Sequence, residues 1–490
     1  MRCSQGRPTM TRMDAAAGEA SGNIVPPDVE SVHLIAVCGT GMGALACLLK
    51  ASGLRVTGSD RNIYPPMSHF LAAEGIPIHK GFDPAHLHHR PDLVVVGNAV
   101  SRDNPEVVEL HRLGLAFCSM PQALNAFVAR GKKALLVAGT HGKTTTAAIL
   151  AWLLQTAGMD ISFFIGGILE NFQSNHRLGR GNYIVIEGDE YDTAYFDKGP
   201  KFLHYQPLLT ILTGVEFDHA DIFTDFTHVQ RTFNTFVQGL RADSTLISCA
   251  DDPVVRRLSA ASPARCESYG NSATALWRLD GIRIEPPWSF FSVLHNGRRL
   301  GEFKTLLKGV HNLGNALAAI AAALDLGAPL PALQSALPAF TGVKRRQEIR
   351  GVRNGITVFD DFAHHPTAVQ KTIQGVRRFV EKGRLIAVFE PRTNTSMRAV
   401  FQSVYPSAFA DADLILIREP PLLEKIPPQE RFSSPRLVDD LTAMGKNAVY
   451  FENTEAIIDY LSQNAVCGDA VLIMSNGGFD DIHERLLKRL

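Results

Sequence analysis

The chain carries no net charge, because 49 Lys and Arg offset 49 Asp and Glu over 490 residues. Without a global basic field nothing attracts a polyanion, so nucleic acid and membrane surfaces are not expected partners, and small charged substrates must be held locally. Cysteine is scarce: seven are scattered from Cys3 to Cys467 with no Cys-x-x-Cys pair, which leaves neither a disulfide framework nor a cysteine zinc site. No apolar run approaches the roughly 18 residues of a membrane span, and the N-terminus has no apolar signal core. A reducing, cytoplasmic setting is the expectation. The length exceeds one ordinary core, so several domains are expected.

What is present is organised around Val137-Ala-Gly-Thr-His-Gly-Lys-Thr-Thr-Thr146, which follows the apolar run Ala134–Val137 and opens a helical pattern. A strand, a Gly-rich turn and a helix form a phosphate cradle. Gly139 and Gly142 let the backbone curl around an anion, and the helix start offers free N–H groups and a positive dipole end. Lys143 is placed for β- and γ-phosphates, and the Thr144 hydroxyl for Mg²⁺. One part of the usual P-loop pattern is missing, since Val137 stands where a Gly would open it.

Before the cradle, a strand over Val32–Val37 runs into Cys38-Gly-Thr-Gly-Met-Gly43, an apolar helix, and a second strand ending at Gly58-Ser-Asp60. This β-α-β unit suggests a dinucleotide site with Asp60 on a ribose hydroxyl, or a bare structural turn. After the cradle, Ile149, Leu150, Leu153, Leu154 and Ala157 form the core stripe of a helix that stops at Gly158. The strand Tyr183–Glu187 ends in acids, where a P-loop protein usually holds its metal; Asp189, Glu190 and Asp192 are expected to be shell or surface. Val215-Glu-Phe-Asp-His-Ala-Asp221 places His219 between acids on a strand-end loop, suited to a second cation or a phosphate oxygen. Phe226, Val229, Phe233, Phe236 and Leu240 mark a buried helix face.

From about 245 to 305 short alternating strands suggest a β-rich insert or edge without chemistry. Asn312 and Asn315 then share a face at the start of an apolar helix, where they could read a base edge or merely cap the helix. Phe340–Glu348 looks like a hinge, with Arg345 and Arg346 available for phosphate or ribose. Strands over Ile356–Phe359, Leu385–Phe389 and Val471–Met474 lead into polar loops, one of them Asp360-Asp-Phe-Ala-His-His-Pro366. The whole is an α/β chain in three blocks, at 30–130, 131–342 and 343–490. Residues 1–29, rich in Ala, Gly, Ser and Pro, are expected to be a disordered extension in which Met10 and Met13 leave the start open.

Gly139-Thr-His-Gly-Lys-Thr144, Glu187-Gly-Asp-Glu190, Asp218-His219, His311-Asn-Leu-Gly-Asn315 and Asp360-Asp361, in that order, resemble the Mur ligase family, ATP-dependent amide-forming enzymes of peptidoglycan synthesis. The resemblance covers about 30 to 490. It implies an N-terminal Rossmann-like UDP-binding domain, a central P-loop ATPase domain and a C-terminal Rossmann-like domain. Within the family, Gly188–Lys198, Glu216–Phe223, Asp361–Thr367 and Glu390–Thr395 are similar to the branch that joins UDP-N-acetylmuramate to the recycled murein tripeptide L-alanyl-γ-D-glutamyl-meso-diaminopimelate. The branch that uses L-alanine is the near alternative. A nicotinamide oxidoreductase built on Gly39–Asp60 would leave the cradle unexplained, and a non-catalytic nucleotide switch would leave Glu187 and His219 without a task.

By the same resemblance ATP is bound by Gly139, Thr140, His141, Gly142, Lys143, Thr144 and Thr145. Asn312 and Asn315 also contact it, with Arg346 and Asp361 reaching it from the last domain. Lys143, Glu187 and His219 are the implied catalytic residues, and Thr144, Glu187 and His219 the implied Mg²⁺ ligands. Gly39, Thr40, Gly41, Met42 and Gly43 would cradle the UDP pyrophosphate, with Asp60 and Ser101 lining the uridine site. A carbamylated lysine that several family members carry falls on Phe233 here and is not expected. For the peptide carboxylates the candidates are Arg392, Asn394 and Ser396. The roles of His364 and His365 and the oligomeric state are left open.

Overall fold

The computed structural model describes residues 22–380 and 382–490. Of the extension expected over 1–29, residues 1–21 with both internal methionines lie outside the described residues. Residues 22–29 instead run along the first unit: Asn23 bridges Phe117, and Val25 and Val29 pack on its core.

Three large sheets follow one another along the chain, and a two-stranded pair, Asp192–Ala194 with Asp197–Pro200, stands beside them. The first is wholly parallel, in the spatial order Ile78–Lys80, Arg55–Asp60, Ser31–Ile35, Leu93–Val96, Phe117–Ser119. Leu93–Val96 is buried at every position, as a strand covered on both faces must be. Chain order reverses beside Ser31–Ile35, so the Gly-rich turn that follows this strand lies in the crevice where such sheets bind ligands.

The second sheet has ten strands, and Lys133–Ala138 lies inside it between Leu209–Leu212 and Tyr183–Glu187. The segment 245–305, expected as an insert or edge, is the continuation of this sheet. Thr245–Cys249 and Arg265–Gly270 join in parallel, and Trp277–Glu285, Trp288–His295 and Arg298–Thr305 form its antiparallel margin. The helix Lys143–Thr156 packs against Val310–Asp325 over this sheet, and the small, fully buried side chains of Ala318, Ala319, Ala321, Ala322 and Ala323 allow the close approach. The helix Phe226–Gln238 buries Val229, Phe233 and Phe236. Phe226, expected on that face, is 37% exposed at the first position of the helix.

The third sheet runs Glu348–Arg353, Ile356–Asp361, Ala470–Met474, Leu385–Phe389, Leu414–Arg418, Ala448–Phe451, parallel except for its first pair. Pro366 opens the helix Pro366–Arg377, where its missing N–H costs nothing. Among the described residues no helix is long and apolar enough to cross a membrane, and six cysteines are free.

Candidate functional site

The cradle is built as its residue types require. Gly139 and Gly142 both hold positive φ, at 128° and 79°. A Cβ at Gly139 would sit 2.3 Å from Thr213 Oγ1, and one at Gly142 2.7 Å from Asn315 Oδ1, so only glycine fits at either. Thr140 fastens the turn, its hydroxyl accepting from Glu216 N at 3.0 Å. Lys143 opens the helix and folds back over the loop, its Nζ donating to Gly139 O at 2.7 Å. Thr145 is buried beneath the loop.

Three acids lie near the cradle. Thr144 donates its hydroxyl to Glu187 Oε1 at 2.7 Å, and Gly166 N donates to Glu187 Oε2 at 2.7 Å. Asp189 pairs with Lys201 at 2.7 Å. Glu190, expected as shell or surface, is shell: it is 3% exposed and joins the Lys143 ammonium at 2.8 Å to His219 Nε2 at 2.9 Å. Burial opposes charge on all three. The mutual attraction outweighs it, holding the Glu190 carboxyl below its usual pKa and the Lys143 ammonium and His219 imidazole above theirs. The clue was Glu190's place in the Glu187-Gly-Asp-Glu190 strand end, one turn of chain from Glu187. His219 itself has φ 56°, a left-handed conformation that aims its ring at Glu190.

A hydrogen-bonded chain links the cradle to the last unit. Asn315 Nδ2 donates to Asn312 Oδ1 at 3.1 Å, Asn312 Nδ2 to Gln347 Oε1 at 3.2 Å, and Gln347 N to Asp361 Oδ2 at 2.8 Å. Arg346 stands beside it with its guanidinium 4.8 Å from the Phe362 ring. Burial holds the Arg346 pKa below its usual value, with Asp361 and Glu187 opposing, so an anion placed here would be welcome. Thr144, Thr145, Asn312, Asn315, Arg346 and Asp361 all line one cavity of about 730 Å³. Arg345 and Gln347 adopt positive φ in the connecting segment, as at a strained hinge. His141 and Asn315 also line a second cavity of about 940 Å³.

On the other side of the cradle a cavity of about 690 Å³ runs from the turn at Gly39, Thr40, Gly41 and Met42 past Asp60 and Ser101 to Lys143 and Glu187. Gly43 does not line it. A Cβ there would lie 2.7 Å from Met67 Cε, so this glycine serves helix packing. Asp60 accepts from Cys38 N at 2.8 Å and Asn62 N at 2.9 Å, and thereby fixes the turn while edging the cavity.

The loop after Leu209–Leu212 docks on the last unit. Thr367 Oγ1 donates to Glu216 Oε2 at 2.6 Å, and Ala220 N to Thr395 Oγ1 at 3.1 Å. His365 Nε2 lies 3.1 Å from Phe217 O, and His364 Nε2 3.8 Å from Asp218 Oδ2. Glu216 is held at a pKa of about 2, since hydrogen bonds and the charge of His141 outweigh burial; burial lowers that of His365 to about 4. Of the peptide candidates, Ser396 is the correction: it is 1% exposed, and its hydroxyl is spent on Thr393 within its own turn. Asn394 reaches across to Asp221 at 3.2 Å. Arg392 remains part exposed over Gly477, with its nearest acid, Glu390, at 3.7 Å.

Residues 31–132 match the model described as Mur ligase family, catalytic domain. Residues 137–323 match the Mur ligase middle domain, and 345–477 the Mur ligase, glutamate ligase domain. The chain is 39% identical over 463 residues to the UDP-N-acetylmuramate–L-alanyl-gamma-D-glutamyl-meso-2,6-diaminoheptandioate ligase of Haemophilus influenzae, covering 94% of this chain and 99% of the relative. It is 34% identical over 467 residues to the UDP-N-acetylmuramate–L-alanine ligase of Desulforapulum autotrophicum, covering 94% and 98%. The crystal structure of a murein peptide ligase from Psychrobacter arcticus superposes with a TM-score of 0.69 at 36% identity, over 94% of this chain and 98% of that one.

Proposed function

Because the chain belongs to the Mur ligase family, we propose that it joins the carboxylate of UDP-N-acetylmuramate to the amine of L-alanyl-γ-D-glutamyl-meso-diaminopimelate with hydrolysis of ATP to ADP and phosphate. One observation carries this reading: the cavity that begins at the Gly-rich turn ends on Lys143 and Glu187. A nucleotide sugar seated at Gly39–Met42 would extend its sugar acid to where the cradle holds a γ-phosphate.

A carboxylate is a poor electrophile and must be activated. Its oxygen attacks the γ-phosphorus, ADP leaves, and an acyl phosphate results. The amine then attacks the acyl carbon, phosphate departs through a tetrahedral intermediate, and the amine proton is lost. The residues divide this work. Backbone N–H groups from Gly139 to Thr144 and the Lys143 ammonium hold the phosphates, and Arg346 adds positive charge from the far side. Glu190 keeps Lys143 charged and His219 oriented. The Thr144 hydroxyl and Glu187 carboxylate, already 2.7 Å apart, are hard oxygen donors that would suit Mg²⁺; His219, which the family resemblance assigns to a second ion, here has its Nε2 on Glu190. When bound, Mg²⁺ neutralises charge on the transferring phosphoryl group.

The last unit closes the site. Docking of Thr367 and Thr395 on the 216–221 loop keeps water from an acyl phosphate that water would destroy. Arg392, part exposed in the last unit, is the remaining candidate to bind the peptide carboxylates.

The test is phosphate release from Mg-ATP and UDP-N-acetylmuramate with tripeptide or L-alanine as amine, and mass analysis of the product. Turnover with the tripeptide and little with L-alanine is expected. Turnover with L-alanine alone would replace the assignment by the single-residue branch.

A further inference from the structure

His141 from the phosphate loop, Glu216 from the following strand-end loop and His365 from the last unit converge on one point. Their ligand atoms all lie within 4.8 Å of one another. Glu216 Oε2 is 3.5 Å from His141 Nε2 and 3.6 Å from His365 Nδ1. Both are long for a charge-assisted hydrogen bond, which prefers about 2.7–2.9 Å. They match the edge of a tetrahedron around an ion with bonds of about 2.1 Å, which is about 3.4 Å.

The surroundings are those of a ligand set. His365 Nε2 lies against Phe217 O at 3.1 Å and donates to it, while Thr367 N at 3.3 Å donates to Nδ1. This fixes the tautomer whose Nδ1 carries the lone pair, 3.6 Å from Glu216 Oε2; Thr367 N holds that lone pair at a long 3.3 Å, and an ion bound there would take the place of this N-cap bond. A backbone carbonyl behind a metal-binding imidazole is the usual arrangement. Thr367 Oγ1 orients the carboxylate at 2.6 Å, as an outer-shell donor would. His141 Nε2 is buried without a hydrogen-bond partner. Glu216 is 36% exposed, which provides an entry path.

We propose that His141, Glu216 and His365 bind a borderline divalent ion of the zinc type, separate from the hard-ion site at Thr144 and Glu187. Two imidazoles and one carboxylate form a three-ligand tetrahedral site with a fourth position open to solvent. Two of its ligands belong to the ATP-binding unit and one to the last unit, so the ion clips the last unit onto the phosphate loop. Nothing in the ligation chemistry requires it; the clip would tie the closed arrangement to the availability of a transition ion.

The test uses the tag-free full-length chain with Cys266→Ser and Cys467→Ser, since these two thiols are exposed. Zn²⁺ is titrated against a chromophoric chelator without nucleotide, and Co²⁺ is bound for its visible spectrum. One equivalent of Zn²⁺ and a tetrahedral Co²⁺ spectrum without thiolate charge transfer are expected. His365→Ala should lose that equivalent, and Thr367→Val should bind about 10- to 100-fold more weakly. Glu187→Gln should bind like the parent. Lack of stoichiometric binding, retention in both His365→Ala and Thr367→Val, or loss in Glu187→Gln would each overturn the assignment. Thermal transitions of the two site variants exclude simple misfolding.

Discussion

Glu190 sits between two cations in a space that excludes water, and this decides what Lys143 can do. A buried ammonium without its partner loses its proton or its place. Glu190→Gln removes the charge while keeping the shape, so kcat should fall by about 100-fold or more, a loss of about 3 kcal/mol in the barrier term. Steady-state kinetics with ATP and UDP-N-acetylmuramate would show it, and wild-type kcat would dismiss the role. Lys143→Ala should abolish ligation and weaken UDP-N-acetylmuramate only slightly in a calorimetric titration. That ammonium touches the sugar-acid end of the cavity, not the turn at Gly39–Met42. The residue types of the cradle were plain in the sequence because Gly-x-x-Gly-Lys-Thr is a local signal. Glu190 was not, because four acids within six residues offer no local reason to choose one; the choice is made by a lysine 47 residues away. Ser396 fails for the same reason in reverse, being a polar residue that its own turn consumes.

At the scale of the element, the strand Lys133–Ala138, the turn and the helix Lys143–Thr156 form one rigid tool. Gly139→Ala would force a Cβ into Thr213 Oγ1 and the Gly214 backbone at a φ of 128°. Left-handed strain alone costs about 1–3 kcal/mol. We expect a lower melting temperature together with ATP affinity too weak to measure, by thermal unfolding and titration; an unchanged ATP affinity would contradict the fit. Strands and helices with strong patterns were legible: Leu385–Phe389 and the buried stripe at Val229, Phe233 and Phe236 appear where periodicity placed them. Of the two alternatives for the 245–305 segment, insert or edge, the structure has the edge, and short strands carry no mark of which sheet they join. Thr245–Cys249 pairs with Leu209–Leu212, more than thirty residues earlier, and only tertiary packing shows it.

For the whole molecule, three units meet around one site, and their buried histidines make the assembly acid-sensitive. Burial lowers the pKa of His311 and His483 to about 3 and of His176 and His365 to about 4. In the unfolded chain each titrates near the ordinary value of about 6.5. Between those limits the unfolded state binds more protons, so stability falls as pH drops from about 6.5 toward 4. His219 works in the opposite sense, its raised pKa adding stability that is lost as pH rises through it, but it is one group against six, since burial also lowers His79 and His89. Scanning calorimetry at pH 7, 6 and 5 should show a declining melting temperature, and a flat profile would contradict the buried neutral histidines. The three-block order was readable from strand-end motifs, whereas the meeting of the first unit's cavity with Lys143 was not, since no sequence pattern encodes how two sheets face each other. The most direct measurement of that meeting is isotope transfer. UDP-N-acetylmuramate labelled with ¹⁸O in its carboxylate is turned over with ATP and the tripeptide, and the released phosphate is analysed by mass. One ¹⁸O in each phosphate is predicted, because the carboxylate oxygen attacks the γ-phosphorus; unlabelled phosphate would contradict the account.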